Sequence, residues 1–345
     1  MLRRFLNLFL LAFLLLTPGG CQQPPPPEAT HITGQTMGTT WSLAMFPDSA
    51  AIDTQVLKQQ LQKRLDHINA LMSTYDPTSE ISRFNNLNST DWFPISQETA
   101  RVIALSLQIS ALTDGAFDIS VGPLVELWGF GAAQREENIP SETEIETRLA
   151  LVGYKNIQLR REPAAIRKQI PGLRIDLSAV AKGYAVDALA ELLNNQGITN
   201  YIVEIGGELQ VSGRHSDGTP WRIAIEEPLE GTREVDRIFP LTGTALATSG
   251  NYRNFYIVDG QRYAHTIDPV SGKPILHKLA SVTVLDPSCA RADALATALM
   301  VLGEEKGRQF CEKNRIAAYL LIHDKTKIKA YATPAFEAFI KEAEK

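Results

Sequence analysis

Apolar residues recur at two different periods in this chain, and the two periods occupy different stretches. Residues 53–72 put Val56, Leu57, Leu61, Leu65, Ile68 and Leu71 on one helical face, and residues 97–112 do the same with Val102, Leu105, Ile109 and Leu112 behind a Ser96 cap. Ser141 with Glu144 has the form of a capping box and opens a third helix through Val152. Further on, short apolar runs at 201–205, 221–225, 255–258, 281–285 and 317–322 read as strands. Helices and strands do not alternate, which predicts an α+β fold rather than a doubly wound parallel sheet. From His31 there is no low-complexity stretch and no evident repeat, so residues 31–345 read as a single large globular domain.

The first thirty residues have a different character. Arg3 and Arg4 precede an apolar run from Phe5 to Leu16, and Gly19-Gly20 stand directly before Cys21. The run is short for a transmembrane helix, and the four prolines at 24–27 cannot continue one, so residues 1–20 read as a cleaved signal peptide. A cysteine just past two glycines resembles a bacterial lipoprotein processing site, with Cys21 as the lipidated N-terminus. Pro18 departs from that pattern, and a plain signal peptide without lipid is the alternative. Residues 21–30 then form a Pro-rich tether that holds the globule off the membrane. The expectation is a protein of the bacterial cell envelope, lipid-anchored at the inner membrane and facing the periplasm.

Taking Arg3 and Arg4 from the 34 Lys+Arg leaves 32 against 39 Asp+Glu, a formal charge of −7. An acidic surface of that kind argues against nucleic acid as a partner. Cys289 and Cys311 either form one disulfide or stay buried and reduced, and no C-x-x-C pair offers a redox centre or a structural zinc site.

Several loops are unusually rich in Gly, Asp and small polar residues. The densest, Asp176 to Asp187 (DLSAVAKGYAVD), follows the apolar Leu173 and Ile175, which suggest a short strand, and enters a helix ending near Gly197. Small residues there let backbone groups approach a phosphate at a helix N-terminus, with Lys182 adding a cation. The alternative is an ordinary helix start capped by Asp176 or Ser178. Residues 34–40 (GQTMGTT) wrap a ligand or form a plain turn before Trp41, and Tyr75 stacks on a ring or joins the core. Asp118, in DGAFD, holds a nucleoside or caps a helix.

Gly206-Gly207 follow a strand but lack the third glycine of a dinucleotide fingerprint. His265 and Asp268 sit in a polar turn whose Asp-Pro-x-Ser-Gly run is also common turn chemistry, and Pro274 excludes a Walker reading of Gly272-Lys273. Asp293 and Thr297, four apart, project from one helix face, an oxygen pair suited to Mg²⁺.

Taken in order, Met-Gly-Thr, Met-Ser-x-Tyr, Asp-Gly-Ala-Phe-Asp, Asp-Leu-Ser-x-x-Ala-Lys-Gly-Tyr, Gly-Gly-Glu, His-x-Ile-Asp-Pro-x-Ser-Gly and Ala-Asp-Ala-Leu-Ala-Thr resemble the ApbE family over roughly residues 31–325. These are FAD:protein FMN transferases, once described as thiamine-biosynthesis lipoproteins. The resemblance implies an ApbE-type, T-fold-like mixed fold, with FAD as bound substrate and Mg²⁺. It implies that Met37 and Tyr75 line the flavin nucleotide, that Ala116, Phe117 and Asp118 hold its adenosine end, and that Asp176 and Lys182 bind FAD. His265 and Ile267 would approach the isoalloxazine, and the Ala179 carbonyl, Asp293 and Thr297 would hold the metal, with His265 and Asp293 serving catalysis. Some relatives carry an aspartate just before the threonine where this chain has Ala296, so a second carboxylate is not expected there.

The implied reaction passes FMN from FAD to a threonine of an exported or membrane flavoprotein, such as a redox-pump subunit, and releases AMP. An FAD pyrophosphatase and a non-catalytic flavin-binding lipoprotein are the alternatives.

Overall fold

The computed structural model describes residues 28–46, 52–132, 139–228, 234–252, 254–324 and 327–344; the signal segment, Cys21 and most of the Pro-rich tether lie outside them. Its centre is one antiparallel sheet of eight strands: β1 (Thr30–Thr36), β2 (Thr39–Met45), β6 (Tyr201–Ile205), β7 (Glu208–Ser212), β10 (Thr244–Gly250), β13 (Leu279–Asp286), β14 (Ala317–Asp324) and β15 (Lys327–Ala332). The spatial order is the chain order, so the sheet is a meander, and everything else is an excursion from it.

The excursion between β2 and β6 carries α1 (Thr54–Met72), α2 (Glu80–Asn85), β3 (Phe93–Pro94), α3 (Gln97–Leu112), α4 (Gly122–Leu127), α5 (Glu142–Leu149), β4 (Ile157–Arg161), β5 (Ala164–Lys168) and α6 (Ser178–Asn195). A hairpin of β8 (Trp221–Glu226) and β9 (Val235–Leu241) follows β7, and a second, of β11 (Phe255–Val258) and β12 (Gln261–Ala264), follows β10. The long helix α7 (Cys289–Asn314) links β13 to β14, and α8 (Pro334–Ala343) ends the described chain. This is the mixed α+β architecture that the unalternated periods predict, and each of the five strand-like runs is a strand.

Period-two alternation divides the apolar residues between the faces of the sheet. Trp41, Leu43, Tyr201, Val203, Ala245, Val282 and Leu320 face a layer made of α1, α3, α6 and α7. Ile202, Val211, Leu246, Leu285, Tyr319 and Leu321 face the β8–β9 hairpin and α8, where Trp221, Ile223, Phe239 and Phe336 fill a second core. A third cluster, with Leu124, Trp128, Ile145, Tyr256 and Ile267, lies under α4, α5 and the β11–β12 hairpin.

Two local expectations change. The helix opened by the Ser141–Glu144 capping box stops at Leu149 rather than Val152, because the chain turns through Gly153 at φ 139°, a conformation that glycine tolerates. Residues 173–177 form no strand. At Ile175 the partner is the Asn85 side chain, which accepts from Ile175 N–H at 2.7 Å and donates to the Ile175 carbonyl at 2.8 Å, while the Asp176 N–H donates to the Ile119 carbonyl at 2.8 Å. Arg174 adds a lone parallel bridge to Val121. An amide side chain thus does the work of a neighbouring strand, and holds the entrance of α6 in place.

The sheet also splits. β10 pairs with β7 over Thr244–Leu246 but with β13 out to Gly250, so beyond Leu246 one edge of β10 has no strand beside it among the described residues. A cleft opens at this fork.

Candidate active site

The cleft has a volume of about 1330 Å³, above the roughly 300–1,000 Å³ typical of pockets for drug-sized ligands, and so suits something the size of a dinucleotide. Met37, Tyr75, Ala116, Phe117, Asp118, Asp176, Ala179, Lys182, His265, Ile267, Asp293 and Thr297 all line it. The twelve residues picked from sequence come from six segments up to 260 residues apart, and the fold gathers them around one space.

The floor is the crossing of α6 and α7, and Gly183 makes the crossing possible. A Cβ at Gly183 would stand 2.4 Å from the Cys289 carbonyl oxygen and 2.8 Å from Ala290 Cα, so no larger residue fits between the helices. The Gly183 N–H donates to Asp293 Oδ2 at 3.0 Å. In an α-helix that N–H belongs to the carbonyl four residues back, which is Ala179. The Asp293 carboxylate is therefore drawn against the turn that carries the Ala179 carbonyl. Thr297, one turn along α7, adds a hydroxyl 3.2 Å from Ser249 Oγ on β10.

Both helices are anchored at their entrances. Asp176 accepts from Ser178 N–H at 2.8 Å and from the Ser178 hydroxyl, a turn just ahead of α6; the helix is capped at Leu177 with no side-chain bond, so neither Asp176 nor Ser178 is its cap, and Asp176 lines the cleft. Asp187 accepts from the Cys289 and Ala290 N–H groups at 2.7 and 3.0 Å and from Ser288 Oγ at 2.8 Å, a carboxylate at the positive end of α7.

The electrostatic centre of the floor is Lys182. Its ammonium lies 2.6 Å from Glu208 Oε1 and also feels the Asp293 carboxylate. Glu208 is only 2% exposed, and burial pushes its carboxyl up against the opposing pull of Lys182. Burial likewise raises Asp293 above the usual carboxylate range. Two buried carboxylates share one ammonium, so this floor favours an added cation. Glu208 is a floor residue absent from the sequence expectations; its signal is a carboxylate directly after two glycines at a strand start.

The walls hold the flat groups. Met37 and Gly38 are the tip of the β1–β2 hairpin, both at positive φ, 50° and 73°. Tyr75 is 66% exposed at the rim with its hydroxyl 3.5 Å from the Phe130 carbonyl, so it is not a core residue. Ala116 and Phe117 are buried in the turn after α3. Asp118 is buried too, and its oxygens accept from Ser120 N–H at 2.8 Å, Ser120 Oγ at 2.6 Å and Tyr154 N–H at 2.7 Å, so its first role is to shape this wall. Asp268 folds its own turn by accepting from Val270 and Ser271 N–H groups, and Trp128 Nε1 donates to the Gly272 carbonyl at 2.8 Å. That turn presents Ile267 and His265.

His265 Nδ1 lies 3.1 Å from the Asn254 carbonyl, which can only accept, so Nδ1 carries the proton and Nε2 is left as the basic nitrogen. Burial, aided by the Lys182 ammonium, holds the imidazole below its ordinary value of 6.5, so it is neutral at neutral pH.

The sequence pattern of the ApbE family matches residues 37–320, most of the chain. The chain belongs to the ApbE family. Among curated ApbE-family relatives, the FAD:protein FMN transferase of Vibrio cholerae serotype O1 is 43% identical over 330 residues, covering 96% of this chain and 97% of that protein. The FAD:protein FMN transferase of Escherichia coli K12 is 40% identical over 329 residues, covering 93% of each. Among solved structures, the flavin transferase ApbE from Vibrio cholerae superposes with a TM-score of 0.84 at 43% identity, covering 90% of this chain and 99% of that one. The apo form of the Pseudomonas stutzeri flavinyl transferase ApbE gives 0.84 at 39% identity, covering 91% and 97%. The fold is thus the ApbE fold.

An ApbE-type metal fits the donor set. The Ala179 carbonyl, the Asp293 carboxylate and the Thr297 hydroxyl are hard oxygen donors, few enough to leave positions for water and phosphate oxygens as Mg²⁺ prefers. Among the described residues no group of three or more His, Cys, Asp or Glu is placed to hold a metal ion.

Proposed function

We propose that this chain is an FAD:protein FMN transferase that requires Mg²⁺, passes FMN from FAD to a threonine hydroxyl of a partner flavoprotein, and releases AMP. The observation that carries the reading is the α6–α7 crossing, where the Asp293 carboxylate, the Ala179 turn and Lys182 meet on the floor of a dinucleotide-sized cleft. Mg²⁺, when bound, would supply Lewis-acid neutralisation and a template for the pyrophosphate. Lys182 would add its positive charge to the same phosphates, while Tyr75 and Met37 hold the flavin nucleotide and the Ala116–Asp118 turn the adenosine.

In the transfer itself, the threonine Oγ bonds to the phosphorus on the FMN side as the bond from that phosphorus to the bridging oxygen breaks. AMP leaves with the bridging oxygen. The hydroxyl proton goes to His265 Nε2, neutral and unprotonated at working pH. Partners would be exported or membrane flavoproteins with a threonine-containing acceptor segment, redox-pump subunits among them. The leader and Cys21 support a lipid-anchored protein of the bacterial cell envelope, at the inner membrane and facing the periplasm. Among the described residues no helix is long and apolar enough to cross a membrane.

The test is intact mass. The protein, FAD, Mg²⁺ and an exported flavoprotein acceptor are incubated and the acceptor weighed. A mass gain equal to one FMN, dependent on Asp293 and accompanied by AMP, is expected. Free FMN with an unmodified acceptor would make the protein an FAD pyrophosphatase, and FAD binding without AMP would make it a flavin carrier.

A further inference from the structure

Glu208 carries an anomaly that its ion pair does not explain. Oε1 meets Lys182 at 2.6 Å, but Oε2 is buried and has no hydrogen-bond partner among the described residues. A buried carboxylate oxygen without a donor forfeits its hydration with nothing in return, so native structures rarely keep one unless something else fills the site. Glu208 lines the cleft, as do Gly206 and Gly207 before it. Those glycines turn at φ 59° and 108°; a Cβ on Gly206 would stand 2.8 Å from Thr39 Cγ2, while one on Gly207 would meet open space, so the strand start at Glu208 is packed on one side and open on the other. Glu208 therefore reads as an acceptor waiting for a donor that arrives through the cleft.

The chemistry of that donor follows from its neighbours. A phosphate oxygen is an acceptor and is repelled by a carboxylate, so it cannot be the missing partner. A second ammonium is not needed, because Lys182 already pairs with Oε1, and the added cation that the floor favours is assigned to Asp293, Thr297 and the Ala179 carbonyl. What remains is a neutral O–H or N–H group next to the phosphates that Lys182 and Asp293 address. In FAD, the donor-bearing segment joined directly to the FMN-side phosphate is the ribityl chain with its hydroxyls.

We propose, resting on the FAD reading above, that Glu208 is a substrate-binding residue whose Oε2 accepts a hydrogen bond from a ribityl hydroxyl. One carboxylate then does two jobs: Oε1 fixes the Lys182 ammonium toward the pyrophosphate, and Oε2 selects the flavin half that carries the polyol. The sheet fork is what makes this geometry available, because β7 begins at Glu208 where β10 loses its partner.

The experiment compares FAD with ADP, which keeps the adenosine and the pyrophosphate and lacks everything beyond them. Dissociation constants for both are measured with Mg²⁺ on wild type, on Glu208→Gln and on the paired variant Lys182→Met with Glu208→Gln. The single variant is isosteric, and the paired one removes the cation that the single one strands, so a folding defect in one leaves the other. The ratio of the FAD constant to the ADP constant should rise about tenfold in both variants, the effect of one hydrogen bond to a charged group. An unchanged ratio, whether both ligands weaken together or neither does, overturns the proposal and leaves Glu208 as a support for Lys182. Failure of the wild-type protein to bind FAD would instead overturn the transferase reading, so the two failures are distinguishable.

Discussion

Replacing Gly183 by alanine sets two opposing effects against each other, and the geometry says which wins. In an exposed helix the change would stabilise by roughly 0.5–1 kcal/mol, because alanine loses less backbone freedom on folding. At the α6–α7 crossing the new Cβ would sit 2.4 Å from the Cys289 carbonyl oxygen, 2.7 Å from its carbon and 2.8 Å from Ala290 Cα. All three are backbone atoms, so no side chain can swing aside. Restoring a contact of about 3.4 Å requires the helices to part by about 1 Å. Overpacking of this kind costs roughly 1–3 kcal/mol, and the upper end applies because the obstacle is rigid.

The net effect of Gly183→Ala is a loss of about 2 kcal/mol, or a fall in melting temperature of about 3 °C for a domain of this size. The functional effect is larger. The same separation pulls Asp293 Oδ2 from the Gly183 N–H, and a displacement of about 1 Å at a reacting centre costs on the order of a hundredfold in rate. Differential scanning calorimetry and the rate of FMN transfer read the two effects. A variant that melts at or above the wild-type temperature and transfers FMN at the wild-type rate would refute the argument, since it would mean the crossing has slack that these distances deny.

Three further expectations follow from the same geometry. Asp293→Asn keeps the shape and removes the charge, so FMN transfer should drop on the order of a hundredfold or more while FAD affinity changes far less; rates and dissociation constants measured across a Mg²⁺ titration check this, and equal losses in both would refute it. His265 is held below 6.5 by burial and by Lys182, so its basic form is already in place at neutral pH. A pH–rate profile should be flat from about 7 upward and fall only below the usual imidazole range, with that limb lost in His265→Gln. The sign for stability agrees: between the lowered folded value and the unfolded value near 6.5 the unfolded chain binds more protons, so this contribution to stability declines as pH falls through that window. Cys289 and Cys311 are free and wholly buried, and burial raises both thiols, Cys311 to about 12. Ellman's reagent should therefore label neither in the native protein and both after unfolding, and rapid native labelling would contradict the placement.

Much of the fold was legible where a residue's neighbours in sequence are its neighbours in space. The face of α1 from Leu57 to Leu71, which leaves the expected Val56 exposed, and the caps at Ser96 and Ser141 are local patterns of 3.6-residue spacing and of side chains bonding to N–H groups a turn away. The Asp268 turn is local in the same sense. The reading failed where a partner came from elsewhere: residues 173–177 look like a strand, yet Ile175 pairs with the Asn85 side chain, ninety positions earlier. Tyr75 had no local signal to say core or rim. The fate of the two cysteines was equally open, and helix α7 decided it by burying each away from the other's reach, with both thiols free.

For the site, the sequence by itself determined the chemistry on offer: two glycine-rich turns, a lysine inside a small-residue helix start, an aspartate and threonine one turn apart, and one histidine in a polar loop. Those are short-range facts, because the spacing within each motif sets what its own atoms can do. Only the tertiary structure decided which of these groups meet. It put Asp293 on the Gly183 N–H, set Lys182 between Asp293 and Glu208, and left one oxygen of Glu208 buried without a donor among the described residues. The reason is physical: charge pairing, desolvation and the close approach of two helices depend on distances between segments that are far apart along the chain, and those distances exist only after the eight-stranded meander has formed and split.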